Sequence, residues 1–99
     1  MRAEDIIEFI HASKEEAFSN WGVNAYVPTE SGILIRAKTA TGEKPVVISV
    51  ESNRKELLDV EVTKNESEED RLVLGGAYDV VGEDLCARIE RLLVECEYT

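Results

Sequence analysis

Basic residues are scarce in this chain of 99 residues. Only 11 lysines and arginines stand against 21 aspartates and glutamates, which gives a net charge of −10. A surface with this excess repels the phosphates of nucleic acids and of anionic lipids, so direct binding to either is disfavoured. The charge instead favours a basic protein as partner, and proteins that handle nucleic acid expose such basic surfaces.

Long apolar segments are also missing. No run approaches the roughly 18–20 apolar residues that a membrane-spanning helix needs, and the opening stretch MRAEDIIEFIHASKEE has no signal-peptide core. We therefore expect a cytoplasmic protein, in which Cys86 and Cys96 stay reduced. Both cysteines fall in one predicted helix, where their separation corresponds to about 15 Å of rise, too far for a disulfide.

Residues that could support catalysis are few. His11 is the single histidine, so a serine or cysteine nucleophile would have to recruit this one side chain. Its spacing from Glu8 matches half of a di-iron site, but the second Glu-x-x-His that such a site needs is absent. The stretch GGAYDVVGED lacks the Gly-Lys-Ser/Thr of a phosphate-binding loop, and the run from Asn65 lacks the glycine and glutamate of a calcium loop. We predict a protein that is not an enzyme and that binds no cofactor or metal.

Apolar periodicity predicts a helix at each end of the chain. Residues 3–21 carry an apolar stripe at helical spacing, and Ser13 begins the sequence SKEE, whose capping-box form lets the helix kink or restart there. Residues 78–96 place an apolar side chain at every third or fourth position, and either Asp79 or Gly82 could cap the helix that this spacing predicts. The stripe of this C-terminal helix comprises Tyr78, Val81, Leu85, Ile89, Leu92 and Cys96.

Five segments between these helices alternate apolar and polar residues, as half-buried strands do. The predicted strands are residues 23–27, 33–38, 45–50, 58–63 and 71–74, with Gly75 and Gly76 ending the last one. Short connections favour an antiparallel meander with both helices on one face of the sheet. The sequence therefore predicts one α+β domain over residues 1–99, with the element order α-β-β-β-β-β-α.

The negative charge lies outside the predicted sheet. Residues 23–65 carry six acidic and six basic residues, whereas residues 1–22 have a net charge of −3 and residues 66–99 of −7. In the C-terminal helix, the stripe of Glu83, Glu90 and Glu97 has no basic residue three or four positions away, and unpaired like charges cost a helix stability. The predicted partner-binding residues come from this stripe and from the loop sequence ESEED: Glu66, Glu68, Glu69, Asp70, Glu83 and Glu90.

Two alternatives compete with a partner-binding role for these acidic residues. They can form a plain solvated surface that keeps the protein soluble. The partner can instead bind the sheet face away from the helices, which the alternation predicts to show an aromatic and two aliphatic side chains among polar groups. That predicted face consists of Asn24, Tyr26, Leu34, Arg36, Lys38, Val47, Ser49, Asp59 and Glu61.

In size, charge and element order the chain resembles small acidic inhibitors and immunity proteins. These include phage-encoded anti-defence proteins of the anti-CRISPR kind, some of which resemble nucleic acid in their charge. The resemblance implies a non-enzymatic inhibitor of a basic, nucleic-acid-handling partner, with the protein a monomer or a homodimer. The chain is also similar to acidic type III secretion chaperones, although these are usually longer and carry a helix within the strand series. The alternative is therefore a dimeric acidic chaperone or adaptor, or an immunity-type protein, that binds its partner through the open sheet face.

Overall fold

The computed structural model describes residues 2–64 and 72–97. Its helices are α1 (Ala3–Ser13), α2 (Ala17–Asn20) and α3 (Leu85–Glu95), and a short 3₁₀ helix (Gly82–Asp84) directly precedes α3. Its strands are β1 (Ala25–Pro28), β2 (Gly32–Lys38), β3 (Pro45–Ser52), β4 (Leu58–Lys64) and β5 (Val73–Val80). The strands form one antiparallel sheet in the order β1-β2-β3-β4-β5. The predicted α+β fold with a five-stranded meander is therefore confirmed.

The core lies between one face of the sheet and the two long helices. Directly opposed residues on adjacent strands place Ile35, Ile48 and Val62 in one buried row. The fully buried side chains of the two helices in the same cluster are Ile6, Ile10, Leu85 and Ile89. Burial of each such aliphatic side chain contributes about 1.5–3 kcal/mol, so this shared core holds both helices on the same side of the sheet.

The N-terminal helix is interrupted close to the predicted position. α1 ends at Ser13, Lys14 adopts an extended conformation (φ −155°, ψ 105°), and the chain becomes helical again at Ala17. No side chain caps α2, whose cap position is Glu16, so the capping bond that the sequence SKEE suggests does not form there. The interruption lets Ala17 and Trp21 reach the core.

Strand β1 begins at Ala25, two residues later than the alternation predicts. Its register pairs Tyr26 with the buried Ile35, so Tyr26 lies on the helical side of the sheet, where its ring is 5.9 Å from that of Phe18. The prediction that placed Tyr26 on the opposite face is wrong. Val23 packs against the core but precedes the strand, so its position does not determine which face residue 26 occupies.

The last strand is longer than the sequence predicts, and the last helical segment begins at Gly82, the later of the two predicted caps. β5 continues through Gly75 and Gly76 and includes Tyr78, which the periodicity assigned to the helix. Gly75 is needed for close packing, because an added Cβ there would lie 2.8 Å from the Cys96 Sγ. The two glycines therefore do not end the strand, and α3 begins only at Leu85.

Candidate partner-binding surface

Two of the six predicted partner-binding residues fall in the described structure. Glu66, Glu68, Glu69 and Asp70 lie outside the described residues, so their role stays a prediction. The other two residues have different environments. Glu83, on the 3₁₀ helix, is exposed and makes no side-chain hydrogen bond or ion pair with any described residue, whereas Glu90 is half-buried on α3.

Glu90 is not the unpaired carboxylate that the helical pattern predicts. Its Oε2 accepts a hydrogen bond of 2.9 Å from Lys14 Nζ and one of 3.4 Å from Trp21 Nε1. The hydrogen bond to Glu90, together with its charge, raises the pKa of Lys14. The spacing of charges along α3 cannot reveal this pair, because Lys14 is 76 residues away in the chain and comes from the break between α1 and α2.

Glu97, the third member of the predicted acidic stripe, binds the connection between β2 and β3. Its carboxylate accepts hydrogen bonds from Thr39 Oγ1 (2.8 Å), the Thr41 N–H (2.7 Å) and the Gly42 N–H (3.0 Å). These bonds, led by the one from Gly42, lower the pKa of Glu97. The expectation of an unpaired stripe is thus wrong for Glu90 and Glu97, and of the three carboxylates only Glu83 has no side-chain contact with the described residues.

A broader charge asymmetry separates the two sides of the domain. We define the helical layer as residues 2–22 and 82–97, which carry ten acidic against four basic residues. The sheet and its described connections, residues 23–64 and 72–81, carry seven acidic against six basic residues. The negative charge of the described structure therefore resides almost entirely on the helical side.

A groove opens between α1 and the turn that joins β3 to β4. Its volume is about 770 Å³, within the range of pockets that bind small molecules and large enough for a long side chain. Its lining consists of Asp5, Glu8, Phe9, Ala12, Ser52, Asn53 and Glu56. We call it the acidic groove, because three of these side chains are carboxylates and none is basic.

Phe9 forms an apolar wall of the acidic groove. Its ring is partly buried against the core, and an added Cβ at Gly82 would lie 2.6 Å from that ring. A residue with a side chain at this position would have to displace the ring, so glycine lets the 3₁₀ helix approach α1 closely. The exposed Glu83 directly follows Gly82 in the chain.

The turn opposite α1 is organised by Asn53. Its Oδ1 accepts a hydrogen bond from the Lys55 N–H (2.9 Å), and its Nδ2 donates to Asp59 (3.0 Å) and Asp79 (2.8 Å). Glu56 has a left-handed backbone with φ 60° in this turn. The Lys55 ammonium lies 3.1 Å from the Asp79 carboxylate, so the turn presents Glu56 to the groove while the Lys55 side chain is engaged elsewhere.

The groove chemistry suits a cationic side chain. A guanidinium can donate two parallel hydrogen bonds to one carboxylate, and it can also stack on an aromatic ring. Glu8 and Glu56 supply exposed carboxylates, and Phe9 supplies the ring beside them. Arginine is therefore the ligand side chain that this combination favours over a neutral or anionic one.

The thiols and the histidine are placed as packing groups. Cys86 and Cys96 are buried, and burial raises the pKa of both thiols, which keeps them protonated and poorly nucleophilic. The His11 ring lies 4.8 Å from that of Phe18, and its Nδ1 lies 3.0 Å from the Glu15 carbonyl oxygen. Within the described part of the chain, no cluster of three metal-ligating side chains is arranged to hold a metal ion.

Known proteins offer no guide to the function of this surface. No protein family, curated protein or solved structure matches the chain. Of the helices in residues 2–64 and 72–97, none has the length and apolar character needed to cross a bilayer. The function must therefore be inferred from the charge and geometry of the surface itself.

Sequence patterns identify only part of the acidic groove. Glu8 is nearly opposite the apolar stripe of the predicted N-terminal helix, with Asp5 beside it, so both are expected in solvent. No pattern brings Glu56 to them, because that contact depends on how the turn between β3 and β4 folds against α1. The close approach of Gly82 to Phe9 is likewise a tertiary contact without a sequence signature.

Proposed function

We propose that the protein is a small non-enzymatic inhibitor that binds a basic protein partner through its acidic helical side. The observation that carries this proposal is the acidic groove of about 770 Å³, with three carboxylates and no basic side chain in its lining. The partner that fits is a protein whose own function is to bind nucleic acid, because such proteins expose clustered lysines and arginines.

In the bound state, an arginine or lysine of the partner enters the acidic groove. Its charged end pairs with Glu8 or Glu56 while its aliphatic stem or guanidinium plane packs on Phe9. Asp5 accepts a hydrogen bond of 3.1 Å from the Arg2 N–H, which holds this carboxylate in place at the groove. The remaining charge of the helical layer steers the partner, since association rates depend on the summed field of the surface.

The same contacts inhibit the partner without catalysis. Carboxylates that occupy the phosphate-binding sites of the partner displace its counterions and exclude its nucleic acid. Binding should therefore weaken steeply with added salt, which screens exposed charges. The anti-defence role that the resemblance implies is one setting in which such competition would act.

Matched charge variants test the groove, with an oligo-arginine peptide as the probe. Glu8→Gln with Glu56→Gln removes two charges of the groove, and Glu30→Gln with Glu43→Gln removes two exposed charges elsewhere, so both variants have the same net charge. In calorimetry at physiological salt we expect the groove variant to bind the peptide about tenfold more weakly and the control less than about twofold more weakly. Equal losses would show that only net charge matters, which would contradict the groove.

Competition tests the inhibition itself. The oligo-arginine peptide is first bound to a labelled single-stranded oligonucleotide, and release of the oligonucleotide is followed by fluorescence anisotropy. Added protein should release it, and the variant with Glu8→Gln and Glu56→Gln should need a higher concentration to do so. An oligonucleotide that stays bound at saturating protein would contradict competitive inhibition.

The alternative function is a dimeric adaptor or chaperone that binds its partner through the sheet face opposite the helices. In its favour, Val27, Val73 and Tyr78 on that face are between 50% and 59% exposed. Binding there would weaken less steeply with salt, because apolar contacts would supply part of it. It would also be insensitive to substitution of Glu8 and Glu56, so the matched variants above separate the two functions.

A further inference from the structure

We define the open face as the surface of the sheet opposite the helical layer. One row across its strands reads Val27, Leu34, Ser49 and Glu61, and the next reads Ala25, Arg36, Val47, Thr63 and Val73. Tyr78 lies beside the first row and donates a hydrogen bond of 2.8 Å to Glu61. Both long helices pack on the other side of the sheet, so no described helix covers these side chains.

The charges of the open face are segregated. Its basic side chains, Arg36 and Lys38, lie toward one end of β2, and its acidic side chains lie toward the opposite ends of β3 and β4. The acidic residues are Glu51, Asp59 and Glu61. We call Arg36 and Lys38 the basic corner of the open face, and these three acidic residues its acidic corner. Neither Arg36 nor Lys38 makes a side-chain hydrogen bond or ion pair with a described residue. Arg36 and Glu61 lie two strands apart and two residues out of register, so roughly 12 Å separates their backbones.

We propose that the open face binds the open face of a second copy of this chain and forms a two-fold symmetric homodimer. A two-fold axis that lies in the plane of the face and passes between the two corners places each basic corner over the acidic corner of the other copy. Leu34 and Val47 then pack at the centre. The helical layers, each with ten acidic and four basic residues, point away from one another, so repulsion between the copies is smallest in this arrangement.

The pattern fits a second copy better than an unrelated partner. An isologous interface needs a patch that is complementary to itself, and a face with basic and acidic corners around an apolar centre meets that need. Five strands about 4.8 Å apart and about seven residues long give a flat area of roughly 24 by 23 Å. The accessible area of the protruding side chains is larger, near the low end of what specific interfaces bury per partner. The expected dimer is therefore one of moderate affinity.

Sedimentation velocity of the full chain tests the dimer first. The measurement covers micromolar to submillimolar protein at physiological salt. We expect a concentration-dependent rise from the mass of one chain to the mass of two. The mass of a single chain at every concentration would overturn the proposal and would leave the open face to a different protein.

Charge substitutions then test the face. Arg36→Glu with Lys38→Glu makes both corners acidic and should weaken self-association at least about tenfold. Arg88→Glu with Arg91→Glu on α3 changes the net charge of the chain by the same amount, but on the helical layer. This control should change the self-association constant less than about twofold. A control that weakens the dimer equally would overturn the proposal, because the effect would then be general repulsion.

A mixing experiment tests the two-fold geometry. Glu51→Arg with Glu61→Arg makes both corners basic and should also weaken self-association, and circular dichroism checks that each variant is folded. If Glu61→Arg disturbs the fold through Tyr78, Glu51→Arg alone takes its place. An equimolar mixture of the acidic and basic variants should restore a dimer of one chain of each kind, since every acidic corner again meets a basic one. Failure to form the mixed dimer would overturn the proposal.

Discussion

The two sides of the sheet share one backbone but differ in charge and burial. Beyond the core on the helical side lies a layer with ten acidic and four basic residues, whereas the sheet and its described connections carry seven acidic and six basic residues. On the helical side one sign dominates, which suits a partner of opposite charge. On the open face the two signs occupy opposite corners, which suits a second copy. The net charge of the described residues is therefore concentrated on one side rather than spread over the whole surface.

The same substitution on each side of the sheet should produce the largest contrast. Val60 is fully buried, with Val50 and Ala77 opposite it on adjacent strands. Val60→Asp places an unpaired carboxylate in the core and should lower the free energy of unfolding by about 4 kcal/mol or more. At protein concentrations where the chain is a monomer, Val47→Asp on the half-buried open face should lower it by much less, about 1–2 kcal/mol. Urea denaturation followed by circular dichroism measures both, and equal losses would contradict the difference in burial.

The contact between Gly82 and Phe9 should give the next largest effect. An added Cβ at Gly82 would lie 2.6 Å from the ring, so Gly82→Ala should cost about 1–3 kcal/mol through overpacking. In a Phe9→Ala background the same substitution should cost much less, because the clash is gone. A cost that is equal in both backgrounds, measured by urea denaturation, would place the strain elsewhere.

The two described members of the predicted site should differ in stability. Glu90→Gln weakens the bonds from Lys14 and Trp21 and should lower the Tm by about 2–5 °C. Glu83→Gln removes a carboxylate without a described partner and should shift the Tm by less than about 1 °C. Differential scanning calorimetry of both variants is the measurement. An equal shift would mean that Glu83 is also held by a structural contact.

Glu97 should give the smallest effect, visible as a dependence on pH. Its folded-state pKa is lowered by the bonds from Gly42, Thr41 and Thr39. Stability from a depressed carboxyl pKa is present above the unfolded value and is lost as the pH falls through the folded value. The Tm difference between the parent and Glu97→Gln should therefore reach its full size above about pH 5. It should shrink as the pH falls below 4.5, the ordinary pKa of a glutamate side chain. Glu95→Gln serves as control, and a difference that does not change with pH would contradict the assignment.

Much of the fold could be predicted because the central strands alternate without interruption. In β2, β3 and β4 the apolar residues Ile35, Ile48 and Val62 all face the core. The alternation of apolar and polar residues along each strand is enough to predict which side chains face the core. The edge strands lack this signal. β1 is only four residues long, and in β5 two adjacent glycines suggested an end where the strand in fact continues.

The candidate site was harder to predict than the fold. Charge spacing along one helix agrees with the lack of a partner for Glu83 among the described residues, but it could not show that Lys14 reaches Glu90 from the break between α1 and α2. Nor could it show that the backbone between β2 and β3 binds Glu97. Such contacts depend on tertiary packing. Helical spacing therefore predicts which charges share one face of a helix, but it does not predict which of them are paired with distant residues.

The central claim is that a basic ligand binds the helical side at the acidic groove. Amide chemical shifts of the ¹⁵N-labelled chain, recorded by NMR during titration with an oligo-arginine peptide at physiological salt, test it most directly. We expect the largest shifts on the groove residues of α1 and of the turn between β3 and β4, including Glu8, Phe9 and Glu56. Shifts centred on Arg36 and Val47 of the open face, or spread evenly over all acidic residues, would contradict it.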